Sequence, residues 1–183
     1  VLALGKSQPG KINFGSTGLG APPHMAMELF NSVTGLGAVH VPYKGDAPLQ
    51  PALLANEVQL AFLPLSAAVQ HIKAGKMRAL GVTGAKRGSA LPDVPSMAEL
   101  GLNELDINGW IGIFGPGGMP RDLTARIRDE FARATRHPEV MEKWPGWGYE
   151  PVAGSPEEFA AKYKADIDVF AKVVKMAKIP LVD

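Results

Sequence analysis

Short apolar runs alternate with helical patterns along the first half of the sequence, and this alternation limits the possible folds more than any other feature. A strand–helix–strand order repeated with short connections predicts a parallel sheet covered by helices. The strand-like runs are almost continuously apolar, as expected of strands that are buried on both faces. The predicted strands are residues 11–16, 38–43, 58–64 and 77–84, and the predicted helices are residues 22–33, 46–57 and 66–76.

The regular alternation ends after residue 84. Ser96 and Glu99 have the spacing of a capping box and predict a short helix. Ser155 is predicted to cap the last helix, with Pro156 at its first position. Two long helices with little sheet to cover indicate part of a second structural unit. The predicted elements are strand-like runs at 106–117 and 149–154 and long helices at 119–137 and 155–179.

Composition and motifs exclude several classes of protein. The net charge of +1 gives no electrostatic reason to expect nucleic acid as a partner. There are no cysteines, so disulfides and thiolate metal sites are excluded. The histidines show no metal-ligand spacing, and no G-x-S-x-G elbow occurs, so we expect neither a metal site nor a cofactor. These histidines are His24, His40, His71 and His137.

A glycine-rich stretch, INFGSTGLGAPPHMAMELF (residues 12–30), joins the first predicted strand to the first predicted helix. Its glycines follow the order G-x-x-G-x-G rather than the dinucleotide-binding G-x-G-x-x-G, and no Walker lysine follows. Pro22 and Pro23 begin the helix without N–H groups, so two of the donors at a helix start are lost. The remaining donors fit one carboxylate better than a pyrophosphate. The residues alone slightly favour the alternative, a corner that binds no ligand.

Two further strand-to-helix turns follow. Tyr43, Lys44 and Gly45 form the second turn, with Asp46 as the predicted N-cap, and Ser66 is the predicted N-cap after the third. Taken singly, each fits an ordinary helix start. Because such turns share the carboxyl edge of a parallel sheet, the three turns are expected to meet there and to favour an anion.

Five segments, in order, resemble a known family over essentially the whole chain. The succession of VPYKG, HIKAGKMRAL and LPDVPS is its most specific part. The pattern closely resembles the Bug family, the TctC-like substrate-binding proteins of tripartite tricarboxylate transporters. The matching segments are GSTGLGAPPHMAMELF, VHVPYKGDAPLQPALLANEVQLAF, HIKAGKMRALGVTGAKRGSALPDVPSMAELG, GWIGIFGPGGMP and GSPEEFAAKYKADIDVFAKVVKMAKI.

The resemblance implies an α/β, periplasmic-binding-protein-like (type II) fold. It would consist of one parallel-sheet lobe and the C-terminal remnant of a second α/β lobe. Residues 1–10 would end a helix or linker from the other lobe, 11–108 would form the ligand-binding lobe, and 109–183 would supply a crossover strand and C-terminal helices. We expect the chain to lack most of the N-terminal lobe and the export signal of the family.

The resemblance also implies a function. Such a protein would be periplasmic and not an enzyme. It would capture a small carboxylate (a dicarboxylate, amino acid or aromatic acid) in an interlobe cleft and deliver it to membrane transporter subunits. Self-association through the surface left by the absent lobe is expected. The alternatives are a sensory or protein-interaction module without ligand and, less favoured, an enzyme acting on an anionic substrate.

Matching the family position by position gives the expected binding residues. The first turn would hold a carboxylate, Gly45 would let backbone approach the ligand, and the aromatic near the interlobe crossover would wall the cleft or fill a core. Ala21 stands where the family often has a hydroxyl, and Leu63 and Pro64 stand where it often has polar residues. The expected residues are Ser16, Thr17, Gly18, Leu19, Gly20, Ala21, Tyr43, Lys44, Gly45, Ser66 and Trp110.

Overall fold

Three parallel strands form the sheet, in the order β2–β1–β3, in a computed structural model that describes residues 1–179. Phe14 of the central strand pairs with His40 on one side and with Leu60 on the other. The parallel α/β architecture predicted from the alternating pattern is therefore confirmed. The strands are β1 (Asn13–Ser16), β2 (Val39–Pro42) and β3 (Leu60–Ala61).

Helices connect and cover these strands. None of the helices within residues 1–179 combines the length and hydrophobicity needed to cross a bilayer. The helices are α1 (Leu2–Ser7), α2 (Pro22–Thr34), α3 (Asp46–Leu54), α4 (Leu65–Lys73), α5 (Arg121–Thr135), α6 (Pro138–Met141), α7 (Trp144–Trp147) and α8 (Pro156–Met176), and a 3-10 turn spans Asn103–Leu105.

The central strand is buried on both faces. Phe14 packs with Ile12 and with Met27 of α2 in one apolar cluster. On the opposite face, a Cβ on Gly15 would come within 2.2 Å of Leu49 of α3. The glycine therefore lets α3 approach the sheet closely, and helices cover both sides, as the continuous apolar pattern of the strands predicts.

The capping signals predicted the start of the last helix correctly, but not every helix. Helix α2 ends at Gly35, whose left-handed backbone (φ 65°) suits a glycine C-cap. Ser155 and Glu158 form a complete capping box at the start of α8. The Ser96–Glu99 capping box is also present, with reciprocal bonds of 3.1 and 2.8 Å. The chain after Ser96 makes only turns, so the helix predicted there is wrong.

Three predicted strands do not form in the described part of the chain. Residues 77–84 contribute only an isolated bridge between Val82 and Ser96. The runs at 106–117 and 149–154 have no ladder, so the crossover strand expected in 109–183 is also absent from residues 109–179. Apolar, β-branched residues favour an extended chain, but a strand also requires a neighbour to pair with. These segments have no such neighbour within residues 1–179.

The last helix packs against α2 near its C-terminal end. Val173 of α8 is buried in a cluster with Leu29 of α2 and Leu105. The preceding irregular segment is open, because Ile111 is 78% exposed and Phe114 is 65% exposed. The exposed apolar surface expected for residues 106–183 is therefore present in the part that the structure describes.

The capping box of α8 gives a first prediction. Replacing Ser155 by alanine removes the acceptor of the Glu158 N–H bond, and we expect the free energy of unfolding to fall by about 1 kcal/mol. Ser66 is an exposed residue inside α4 that caps no helix, so Ser66→Ala should change stability by less than about 0.5 kcal/mol. Urea unfolding followed by circular dichroism measures both. Equal effects of the two substitutions would contradict the assignment of the cap.

Candidate functional site

The three strand-to-helix turns lie at the carboxyl edge of the sheet, and the first turn lies at its centre because β1 is the middle strand. The first two turns are directly joined. The carbonyl of Ser16 accepts the N–H of Tyr43 at 2.9 Å, and the carbonyl of Thr17 accepts the N–H of Gly45 at 3.1 Å. Hydrogen bonding between the two segments thus continues past the strands and fixes the turns relative to each other.

The first turn uses several of its polar groups internally. Ser16 is completely buried, and its Oγ donates to Gly18 O at 3.1 Å and accepts from Gly18 N at 3.3 Å. Gly20 N donates to His24 Nδ1, and Ala21 N donates to Gly18 O. The Ser16 hydroxyl therefore shapes the turn from within, whereas the residues at the open edge are Leu19 and Gly20.

Few backbone donors of the first turn remain free for a ligand. Within residues 1–179, the N–H groups of Thr17 and Leu19 have no hydrogen-bond partner. The following Pro22 and Pro23 have no N–H to offer. Two N–H donors on one turn can serve one carboxylate and are too few for a pyrophosphate, so the carboxylate chemistry expected from the sequence stays a prediction.

A stack of three rings supports this turn from below. The His40 ring lies 4.7 Å from the Phe14 ring and 4.0 Å from the His24 ring, measured between centroids. His40 Nε2 lies 2.6 Å from Ser16 Oγ. His24 is therefore a packed residue of α2, and the sequence assigned no role to His40. The parallel register that sets Phe14 beside His40 is the signal that could have revealed the stack.

Burial keeps both imidazoles neutral. It lowers the pKa of His24, and burial followed by the neighbouring charge of His24 lowers the pKa of His40 to about 4. Glu28 Oε1 lies 3.7 Å from His24 Nε2, and burial raises the pKa of this carboxyl group. The stack is therefore uncharged near neutral pH, and the turn above it presents N–H dipoles without a formal charge.

In the second turn Gly45 has the expected role, but Asp46 does not cap the helix. Gly45 has φ 95°, a conformation that favours glycine, which explains its place in the turn. Asp46 is not the N-cap, because Gly45 occupies that position and Asp46 is the first residue of α3. Its Oδ1 is buried without a hydrogen-bond partner within residues 1–179. The ring of Tyr43 lies beside Gly15, and Lys44 is exposed.

The third turn is apolar and covered. Pro64, not the predicted Ser66, is the N-cap of α4, and Ser66 lies exposed within the helix. The carbonyl of Pro64 accepts the N–H of Ala67 at 2.9 Å and that of Ala68 at 3.2 Å, as the carbonyl of an N-cap residue does. Gly148, just after α7, packs so closely on Leu65 that a Cβ would come within 2.6 Å. This turn therefore contributes shape rather than polar groups.

Trp110 makes its polar contact with the last helix. Its Nε1 donates to Asp166 Oδ2 at 2.6 Å, and its ring packs edge-on against Phe159 and Tyr163 of α8. It is 37% exposed, so it does not fill a core position, and its expected place in a cleft wall stays a prediction. Among residues 1–179 no group of three or more histidine, aspartate and glutamate side chains is placed to hold a metal ion.

Comparison with known proteins extends this description. The family model of the tripartite tricarboxylate transporter family receptor, TctC, matches residues 1–177. The UPF0065 protein in the tcbD-tcbE intergenic region of Pseudomonas sp. strain P51 is 34% identical over 95% of this chain and 52% of its own length. Protein BugT of Bordetella pertussis is 30% identical over 96% of this chain and 54% of its own. The chain thus spans about half the length of these curated relatives.

Two solved structures share the fold closely. One, described as a periplasmic transporter, superposes with a TM-score of 0.91 at 35% identity. The other, an R. palustris protein solved with adipate, superposes with a TM-score of 0.91 at 30% identity. Each match covers 99% of this chain and 60% of the other. The fold class inferred from the sequence, that of the periplasmic binding proteins, is therefore confirmed.

The start of α2 gives a second prediction. Ala21 is the N-cap, with an extended backbone (φ −65°, ψ 152°) and no side chain that could accept the free N–H groups of the helix. Because Pro22 and Pro23 have no N–H, a capping hydroxyl at position 21 could accept only the N–H of His24. Ala21→Ser should therefore raise the free energy of unfolding by about 1 kcal/mol.

Chemical unfolding measures this change. Ala74→Ser, at the exposed C-terminal boundary of α4, adds the same hydroxyl where no free N–H group needs an acceptor. We expect it to change stability by less than about 0.5 kcal/mol. A gain of equal size in both variants would show that the hydroxyl acts without capping α2.

Proposed function

The chain belongs to the tripartite tricarboxylate transporter receptor (TctC) family, and from this premise we propose that it binds a small carboxylate as part of an extracytoplasmic solute-binding protein. The observation that carries the proposal is the pair of free N–H donors, at Thr17 and Leu19, in the central turn of the sheet edge. Thr17, Gly18, Leu19 and Gly20 would contact the carboxylate, with Gly45 beside them.

The chemistry of the edge supports an anion of small size. Helices α2, α3 and α4 all begin at this edge, and their dipoles favour negative charge there. The third turn adds no polar side chain to this edge, whereas Lys44 of the second turn adds an exposed positive charge. The R. palustris neighbour, at 30% identity, was solved with adipate, a dicarboxylate. We infer a ligand with at least one free carboxylate, drawn from dicarboxylates, amino acids and aromatic acids.

We place the protein in the periplasm, delivering its ligand to membrane subunits of a tripartite transporter. Periplasmic proteins of this fold support the location, and the description of the family supports the partner. In this arrangement residues 11–108 form one ligand-binding lobe, and residues 109–183 contribute to the other. The two N–H donors would hold one end of the ligand, and groups from the other lobe would hold the rest.

One pairing within residues 1–179 resembles a nucleophile and its base, but its surroundings disfavour an enzymatic role. Ser16 Oγ and His40 Nε2 are 2.6 Å apart, the distance expected of a catalytic pair. Ser16 is completely buried, however, so a substrate cannot reach its hydroxyl. With its pKa lowered to about 4, His40 is also a weak base. The pair therefore supports the turn, and we infer that the protein is not an enzyme.

A ligand-free interaction module is the second candidate. It is favoured by the apolar third turn, covered by Gly148, and by the exposed apolar residues of the 109–115 segment. Such a module would keep the fold without using the N–H pair. It predicts that no carboxylate changes the stability of the protein, which separates it directly from the receptor.

Carboxylate binding is tested by thermal shift with dicarboxylates, amino acids and aromatic acids, with adipate as the first probe. A bound ligand should raise the melting temperature in a concentration-dependent way. Gly20→Asp places a negative charge at the turn, in a left-handed conformation (φ 74°) that aspartate tolerates, and should weaken adipate binding by about tenfold or more.

Gly75→Asp is the matched control. Gly75 is exposed after α4, has φ 68°, and is as open around its Cβ as Gly20. This variant carries the same charge and backbone strain but should bind as the parent does. If both substitutions weakened binding equally, the ligand would bind elsewhere. If no compound of the panel raised the melting temperature, even when the N-terminal lobe of a relative was fused before this chain, the ligand-free module would be favoured.

The exposed apolar surface leads to a prediction of self-association. We expect the 183-residue chain to form dimers or larger species, because Ile111 and Phe114 are both largely exposed and Phe114 lies beside Phe159 of α8. Light scattering coupled to gel filtration measures the mass. The double substitution Ile111→Ser and Phe114→Ser should shift the protein toward the monomer. Val152→Ser, an exposed apolar position outside this segment, is the control, and a monomeric parent would refute the prediction.

A further inference from the structure

We propose that His24 and His40 are positioning residues for the carboxylate site. As neutral rings they hold the two ends of the first turn, and uptake of a proton by His24 releases the end at Gly20. The inference rests on the proposed function, because it concerns the turn assigned to the ligand. It identifies a pH-dependent control of affinity that does not require the ligand to touch either histidine.

The two rings contact opposite ends of the turn. His40 Nε2 lies 2.6 Å from the hydroxyl of Ser16, where the turn leaves β1. His24 Nδ1 accepts the N–H of Gly20 at 3.1 Å, where the turn enters α2. The free N–H groups of Thr17 and Leu19 lie between these two attachment points. Their direction therefore depends on both bonds, and the stacked rings couple one bond to the other.

The bond to Gly20 is possible only for one form of His24. Because the backbone N–H is the donor, Nδ1 must carry a lone pair, and the proton of the neutral ring must be on Nε2. A protonated ring would direct an N–H from Nδ1 at the N–H of Gly20. Two donors facing each other at 3.1 Å repel, so protonation of His24 breaks this attachment. Protonated His40, in contrast, could still donate to Ser16 Oγ.

The surrounding groups direct the proton to His24. Glu28 of α2 is the charged side chain facing the ring, with Oε1 at 3.7 Å from Nε2, and it can balance an imidazolium. On the β1 and β2 side, the ring faces the neutral Phe14 and His40. Burial lowers the pKa of both histidines, and for His40 to about 4. With centroids 4.0 Å apart, the two rings are too close to carry two positive charges readily.

The sign of the effect follows from linkage. The ligand-binding turn requires neutral His24, so ligand binding and proton uptake oppose each other, and affinity should fall as the pH falls through the pKa of His24. Direct attraction between a carboxylate and an imidazolium would act in the opposite direction. A rise in affinity on acidification would therefore show that charge attraction outweighs the loss of the turn and would overturn the proposal.

The first measurement requires no ligand. In ¹⁵N-labelled 183-residue protein, NMR follows the Gly20 amide and the ring nitrogens of His24 from about pH 7.5 to about pH 4.5. We expect His24 to carry its proton on Nε2 at the upper pH and the Gly20 amide to shift with the same midpoint as the ring. A Gly20 amide that does not respond when His24 titrates, a neutral ring protonated on Nδ1, or a ring that does not titrate in this range overturns the proposal.

The second measurement is adipate affinity by calorimetry at about pH 7.5 and about pH 5 for the parent and three variants. His24→Asn keeps an acceptor oxygen near the position of Nδ1 but cannot be protonated. It should therefore bind adipate within about threefold of the parent at the upper pH. It should also lose the change of affinity with pH that protonation of His24 causes. His24→Leu removes the acceptor and should bind about tenfold more weakly at both pH values. His137→Asn, an exposed N-cap position on α6, should match the parent throughout.

The comparison separates the two levels of inference. Ionisation of adipate changes with pH equally for every variant, so only the difference between the parent and His24→Asn reports on His24. If the parent and His24→Asn lose affinity equally, the control by His24 is refuted while carboxylate binding stands. If adipate binds to none of them, the proposed function fails for this probe, and the NMR titration alone decides whether the histidines hold the turn.

Discussion

Hydrogen bonding of the central strand β1 on both edges is the interaction on which the rest of the structure depends. Its pairing with β2 continues beyond the strands, through Ser16 with Tyr43 and Thr17 with Gly45, and so places the first two turns side by side. The same strand brings Phe14 and His40 together under the first turn. A shift of the register by one residue would reverse the face of each side chain and separate the ring stack from the turn it supports.

The sequence predicted the part of the fold that local pattern and pairing specify together. The strands β1 to β3, the helices between them and the cap at Ser155 were recognisable because hydrophobic period, glycine and proline positions and capping residues agree. Residues 77–84 and 106–117 have equally apolar patterns but no partner strand within residues 1–179, and they remain irregular. The apolar pattern of a segment indicates that its chain tends to be extended, whereas a strand forms only where another strand lies beside it.

The sequence predicted the positions of the turns correctly and their atomic contacts less well. Parallel topology alone placed the first and second turns at one edge. The sequence could not show that the Ser16 hydroxyl is turned inward, since this follows from its contacts with Gly18 and His40. It also assigned the caps to Asp46 and Ser66, although the backbone geometry gives them to Gly45 and Pro64. Residue type favours a cap, but the path of the chain decides which residue occupies it.

The small number of donors and the exposed apolar residues have a common explanation. Two N–H groups at an open sheet edge can orient one carboxylate, but they leave the rest of a ligand in water, where its interactions are weak and screened. A binding site for a small acid requires a second wall that excludes solvent. The apolar residues Ile111 and Phe114 require cover for the same reason, since burying them removes their apolar surface from water. If one surface covered both the turn and this apolar segment, ligand affinity and stability would increase together.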